Sequence, residues 1–129
     1  MTELIDDRYE LLEVIASGGM ATVWRARDMR LDGVVALKRP HPTPDSDEAI
    51  HRRMDREARA AASLNHPNVV TVYDYGNDDE GPFLVMELAE GPTLDQVAPK
   101  IGAPAVTEIG VQLAEALAAI HAAGIVHRD

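Results

Sequence analysis

Val35-Ala36-Leu37-Lys38 is a short apolar run that ends on an amine. Lys38 is one of two lysines in a chain that otherwise carries ten arginines. An ammonium on a flexible stem suits phosphate oxygens and a single carboxylate, where a planar guanidinium is less adaptable. The run reads as a strand from Val34 to Lys38, and the period of two puts Val34, Ala36 and Lys38 on one face. Taken alone, Lys38 reads better as a surface lysine at a strand end. The flanking sequence decides between the two.

Upstream, Tyr9 to Ile15 and Ala21 to Arg27 read as two further strands around Ser17-Gly18-Gly19-Met20. A glycine pair between extended runs predicts a hairpin, because glycine accepts the positive φ that a tight turn needs. Leu31-Asp32-Gly33 supplies a second turn signal, so the three strands are expected to form an antiparallel sheet. Downstream, Pro40, Pro42 and Pro44 are expected to stop the sheet, since each lacks the N–H of a ladder. Asp45 and Glu48 resemble a capping box opening a helix from about Glu48 to Leu64. Ile50, Met54, Glu57, Ala61 and Leu64 then share one helical face. That places Glu57 within an apolar stripe, where a carboxylate is costly without a partner. Lys38 is the candidate partner, and a glutamate reaching water at the stripe's edge is the alternative.

Asn65-His66-Pro67-Asn68 ends this helix. Val69 to Tyr75 reads as a fourth strand, Gly76 to Pro82 as a solvated acidic turn, and Phe83 to Met86 as a fifth strand buried on both faces. Glu87 to Gly91 leaves the sheet as a linker. Thr93 is a cap for a short helix over Leu94 to Ala98. A last helix starts near Pro104, carries Val106, Ile109, Leu113, Leu117 and Ile120 at helical spacing, and ends at Gly124.

The 129 residues suffice for one cored domain, and 46% of them are apolar. A net charge of −10 argues against nucleic-acid partners and anionic membrane surfaces. The absence of cysteine removes disulfides and thiolate metal sites, and the five histidines lack ligand spacing, so no metal site is assigned to side chains of this chain. The N-terminus lacks a signal peptide's features, and no stretch gives the roughly 18 uncharged apolar residues of a membrane span. The expected compartment is the cytoplasm.

A glycine turn, a strand lysine, an inward helix glutamate and a terminal His127-Arg128-Asp129 follow one another in fixed order. In this order the chain resembles a protein kinase, and is most similar to the eukaryotic-like serine/threonine kinases of bacteria. Arg8-Tyr9-Glu10, Ser17-Gly18-Gly19-Met20, Arg56-Glu57-Ala58, Asn65-His66-Pro67-Asn68-Val69-Val70 and Val85-Met86-Glu87-Leu88 carry the likeness. The resemblance implies an α+β fold: a kinase small lobe over residues 9–88, with a five-stranded antiparallel sheet and one packed helix. An N-terminal extension of residues 1–8 precedes it. A hinge and the first helices of an incomplete helical lobe follow over 89–129.

The resemblance also implies roles. The glycine-rich loop falls on Ile15, Ala16, Ser17, Gly18, Gly19, Met20, Ala21, Thr22 and Val23, with alanine at 16 and 21 where the family pattern has glycine. Val23 and Ala36 would cover the adenine of ATP, with Met86 behind it. The Glu87 carbonyl and Ala89 N–H would meet the base. Lys38 would hold the phosphates, Glu57 would hold Lys38, and Asp129 would accept the proton of a protein hydroxyl.

The sequence stops at Asp129, before the family's L-x-x-x-N and D-F-G segments that hold Mg2+, so negligible phosphoryl transfer is expected of this chain alone. The last helix is expected to expose its apolar stripe and to self-associate or need a partner. Two other readings stay open: a noncatalytic kinase-like interaction module, and a small-molecule phosphotransferase of the same fold. An open reading frame running on to the missing segments would favour the enzyme.

Overall fold

The computed structural model describes residues 3–42 and 47–125. Six strands form one antiparallel sheet, β1 (Leu4–Ile5), β2 (Tyr9–Ser17), β3 (Ala21–Asp28), β4 (Gly33–Pro40), β5 (Val72–Asp78) and β6 (Gly81–Met86). They lie in the order β1-β2-β3-β4-β6-β5. Helix α1 (Asp47–Ala62) enters the chain between β4 and β5, and α2 (Leu94–Val97) and α3 (Ala103–Ala122) follow the sheet.

Five strands were expected, and the sixth comes from the segment read as an extension. Leu4 and Ile5 pair with Glu10 and Tyr9. A two-residue strand carries no periodicity, so only its partner reveals it. Ile5 and Tyr9 are then buried with Ala26, Val35, Leu37, Phe83 and Val85 in the core, against which Leu11 and Trp24 also pack. The edge is tied by Arg8, whose Nε and Nη2 donate to Asp28 at 3.0 and 2.8 Å. The Tyr9 hydroxyl donates to Asp74 at 2.8 Å, and burial together with that carboxylate raises its pKa above the ordinary range.

Other boundaries differ from expectation for local reasons. Pro40 does not end the sheet before itself but stands opposite Ala21 as the last residue of β4. The stretch from Gly76 to Pro82 is mostly strand rather than a solvated loop: Gly76 to Asp78 belong to β5, and Gly81 and Pro82 to β6. Gly81 takes a φ of +117°, which closes the turn in two residues. Arg39 stabilises it from β4. Its two terminal nitrogens each donate to an Asp78 oxygen at 2.8 Å, and Nη1 also reaches the Gly81 carbonyl at 3.0 Å. This guanidinium lowers the Asp78 pKa from its ordinary value. The fourth strand of the expected five starts at Val72, not Val69, because Val69 closes a turn on the His66 carbonyl. In β6, Phe83 and Val85 are buried while Leu84 and Met86 are half-buried, so the strand has one core face rather than two.

Helix α1 packs on β5 and β6. It buries Met54 and Ala58, and His51 stacks on Tyr75 with ring centroids 5.6 Å apart. The capping box expected at Asp45 lies outside the described residues. Thr93 does cap α2, its N–H donating to Gln96 Oε1 at 2.8 Å. Helix α3 is followed by Gly124, whose φ of +81° a glycine adopts without strain and which keeps the helix from continuing. Only Ala116 of α3 is buried, and Val106, Leu113 and Leu117 are exposed, as the sequence implied. By length and composition alone α3 is long and apolar enough to cross a membrane. Glu108 and Glu115 keep it from being an uncharged span.

Candidate functional site

Strand alternation decides which side chains meet. Residues directly opposite in an antiparallel pair project to the same face. Ala16 faces Val23, Val23 faces Lys38, and Lys38 faces Leu84. One row along, Arg25 faces Ala36 and Ala36 faces Met86. Ala16, Val23, Ala36, Lys38, Leu84 and Met86 therefore share one face across four strands. Trp24, Leu37 and Val85 alternate with them and turn toward the core on the other face. Tyr75 lies opposite Leu84, and its hydroxyl donates to the His51 carbonyl at 3.1 Å. That hydrogen bond seats α1 on the same face as Lys38.

The glycine turn sits at the end of this face. The Gly18 N–H donates to the Ala21 carbonyl at 3.0 Å and closes it. Neither Gly18 nor Gly19 has a positive φ, so the conformational reason expected for these glycines does not hold. Their use is spatial: a Cβ on either would meet nothing within 4 Å, and without one the backbone is open to close approach by a ligand. Ile15 and Met20 flank the turn and are exposed, Met20 at 80%. Ser17 and Thr22 face each other with their hydroxyl oxygens 3.3 Å apart.

The linker after β6 is held by Glu87 in two ways. Its N–H donates to the Thr71 carbonyl at 2.8 Å, and its carboxylate accepts the Thr71 N–H at 3.0 Å. Among the described residues, no protein group bonds to the Glu87 carbonyl or the Ala89 N–H. Both residues are exposed and open to a ligand. An ion pair that the sequence did not suggest closes the same end: Arg25 of β3 reaches Glu90 at 3.2 Å. Leu84, in register with Lys38, was also missed, although the strand pattern placed it on the right face.

Glu57 departs from expectation. The buried residues of α1 are Met54 and Ala58, and Glu57 is exposed on the shoulder between that face and solvent. Among the described residues no carboxylate pairs with the half-buried Lys38. The helical stripe was correctly spaced, but spacing does not fix how far a helix is rotated about its axis. His127, Arg128 and Asp129 lie outside the described residues, so the structure describes no position for the proposed proton acceptor. Among the described residues no three His, Asp or Glu side chains gather as a metal site would require.

An adenine nucleotide fits what is present. The face offers an apolar wall, two open backbone groups at one end, an amine in the middle and a bare turn at the other end. These are the donors and acceptors a base and a polyphosphate require.

Residues 9–129 match the protein kinase domain family. Over 98% of its length the chain is 46% identical to the serine/threonine-protein kinase PknL of Mycobacterium tuberculosis, and covers 32% of that protein. It is 40% identical to a probable serine/threonine-protein kinase of Clostridium perfringens, covering 98% of this chain and 19% of that one. With PrkC of Bacillus subtilis the identity is 42%, over 97% of this chain and 20% of the relative. The chain thus spans about a fifth to a third of these relatives. All of it superposes on the solved structure of PpkA-294 in its apo form with a TM-score of 0.83, over 54% of that chain and at 24% identity. That likeness is one of fold.

Proposed function

The chain belongs to the protein kinase family, and from that membership we propose that it is the ATP-binding part of a serine/threonine protein kinase. The observation that carries the reading is the shared face of Val23, Ala36, Lys38 and Met86 beneath a side-chain-free turn. Val23 and Ala36 cover one side of the adenine, with Met86 behind it. The Glu87 carbonyl accepts from the exocyclic amine, and the Ala89 N–H donates to a ring nitrogen. The Lys38 ammonium holds α- and β-phosphate oxygens as a movable point charge. ATP with Mg2+ supplies the transferable γ-phosphoryl group. Asp129, by its match to the catalytic-loop aspartate, orients a Ser or Thr hydroxyl and accepts its proton. Glu57, exposed on α1 in this arrangement, supports Lys38 once the helix brings it inward.

The test compares ATP and adenosine binding by calorimetry in the parent and in Lys38→Met. Removing a charge-assisted hydrogen bond that only the phosphates receive lowers ATP affinity about 10-fold or more and leaves adenosine affinity within about twofold. Equal weakening for both ligands overturns the assignment of Lys38.

The exposed face of α3 favours a second reading, a noncatalytic kinase-like module that docks on a partner. Partner capture that survives Lys38→Met and ignores ATP would favour it.

A further inference from the structure

His41 lies just past β4, three residues beyond Lys38, and the proposed function gives it no role. Its backbone N–H donates to the Met20 carbonyl at 2.8 Å, which extends the β3–β4 ladder into the glycine turn. Its ring bonds twice more. Nδ1 stands 3.3 Å from the Gly19 carbonyl oxygen, and Nε2 stands 2.6 Å from Thr22 Oγ1. Thr22 Oγ1 is in turn 3.3 Å from Ser17 Oγ. A carbonyl oxygen only accepts, so Nδ1 carries the hydrogen. In the neutral imidazole Nε2 then accepts from the Thr22 hydroxyl, and the Thr22 oxygen is left to accept from Ser17. One residue thus touches the tip and the descending arm of the turn directly, and the ascending arm through a hydroxyl.

The grip comes from behind. Thr22 is adjacent to Val23 in β3, so its side chain projects to the opposite face from the one that holds Lys38. His41 joins Thr22, Trp24, Arg39 and Glu80 around a cavity of about 430 Å³ on that reverse face. The turn has little else to hold it. Gly18 and Gly19 have open space where a Cβ would stand, and Met20 is 80% exposed. A segment with so few buried neighbours opens locally at low cost unless hydrogen bonds pin it.

We propose that His41 is a positioning residue for the glycine turn: its ring and backbone fix the height of the Gly18–Met20 backbone over the phosphates and so reduce the ordering cost of nucleotide binding. This rests on the proposed function, in which that turn meets the phosphates.

Two measurements on the 129-residue chain test it. Amide hydrogen exchange at Gly18, whose N–H is held by the Ala21 carbonyl across the turn, needs no nucleotide. In His41→Ala it is expected to be about 3- to 10-fold faster than in the parent, the range for the removal of one or two hydrogen bonds. Calorimetry is expected to show ATP bound more weakly by a similar factor, with adenosine within about twofold. His41→Asn keeps a donor where Nδ1 stands, and Thr22→Val removes only the hydroxyl. Each is expected to fall between His41→Ala and the parent, and these two decide the matter if His41→Ala does not fold. Exchange at the parent rate in the variants, or parallel weakening of ATP and adenosine, overturns the proposal. A parent chain that binds neither ligand refutes the proposed function instead, and the exchange rates still judge the latch.

Discussion

Replacing Asp28 by asparagine removes one charge while preserving shape. Asp28 is 4% exposed at the end of β3. Its carboxylate takes Nε and Nη2 of Arg8 at 3.0 and 2.8 Å, and the N–H groups of Arg30 and Leu31 at 2.9 and 3.3 Å. The Arg8 hydrogen bonds, helped by those two backbone donors and opposed by burial, bring its pKa from 3.8 down to about 2. The folded value lies below the unfolded one, so the group stabilises the fold above about pH 4. That stabilisation is lost as pH falls from there through about 2. At about 1.4 kcal/mol per pKa unit the shift sets a ceiling near 2.5 kcal/mol. Arg8 remains 21% exposed, and screening at the sheet edge reduces the expectation to about 1–2 kcal/mol. The melting temperature should fall by roughly 4–8 °C. Urea unfolding followed by fluorescence suits the assay, because Trp24 is the single tryptophan and packs on the core. The gap between parent and Asp28→Asn should be full at pH 7 and narrow by about 1–2 kcal/mol on reaching pH 2. A gap that stays constant across that range would refute the ion pair as its source.

Gly76→Ala should be among the costliest single-methyl changes in the chain. The new Cβ would lie 2.3 Å from Cζ of Phe83, a fully buried ring. A destabilisation of about 2–3 kcal/mol or more is expected in thermal melts, and a neutral result would mean that the ring can move aside. The exposed apolar face of α3 should make the chain associate as its concentration rises. Sedimentation of a Leu113→Glu/Leu117→Glu double variant should show a monomer, and unchanged association would place the interface elsewhere.

Several of these features could be read without coordinates. Alternation along β4 put Ala36 and Lys38 on one face, because strand geometry is local and has a fixed period. The same rule, applied to β6, implied Met86 and Leu84 together. Glycines 18 and 19 were correctly placed in a turn, though for the wrong reason, since sequence does not report φ. Other features were hidden because they depend on partners distant in sequence. Leu4–Ile5 becomes a strand only beside Tyr9 and Glu10. Arg39 meets Asp78 only because the turn between β5 and β6 is brought against the end of β4. His41 is followed by a proline and carries no motif, and its ring finds Thr22 and Gly19 only through the β3–β4 register.

The sequence by itself determined the family, the order of the five longer strands and the helices, and the face of the sheet on which Lys38 stands. These follow from short-range periodicity and from residues at fixed spacing. Tertiary structure alone decided that Glu57 points to solvent rather than to Lys38, and that His41 grips the glycine turn from behind. Helix rotation and cross-strand register are set by how buried surfaces such as Met54, Ala58 and Phe83 pack, and no local pattern encodes that sum.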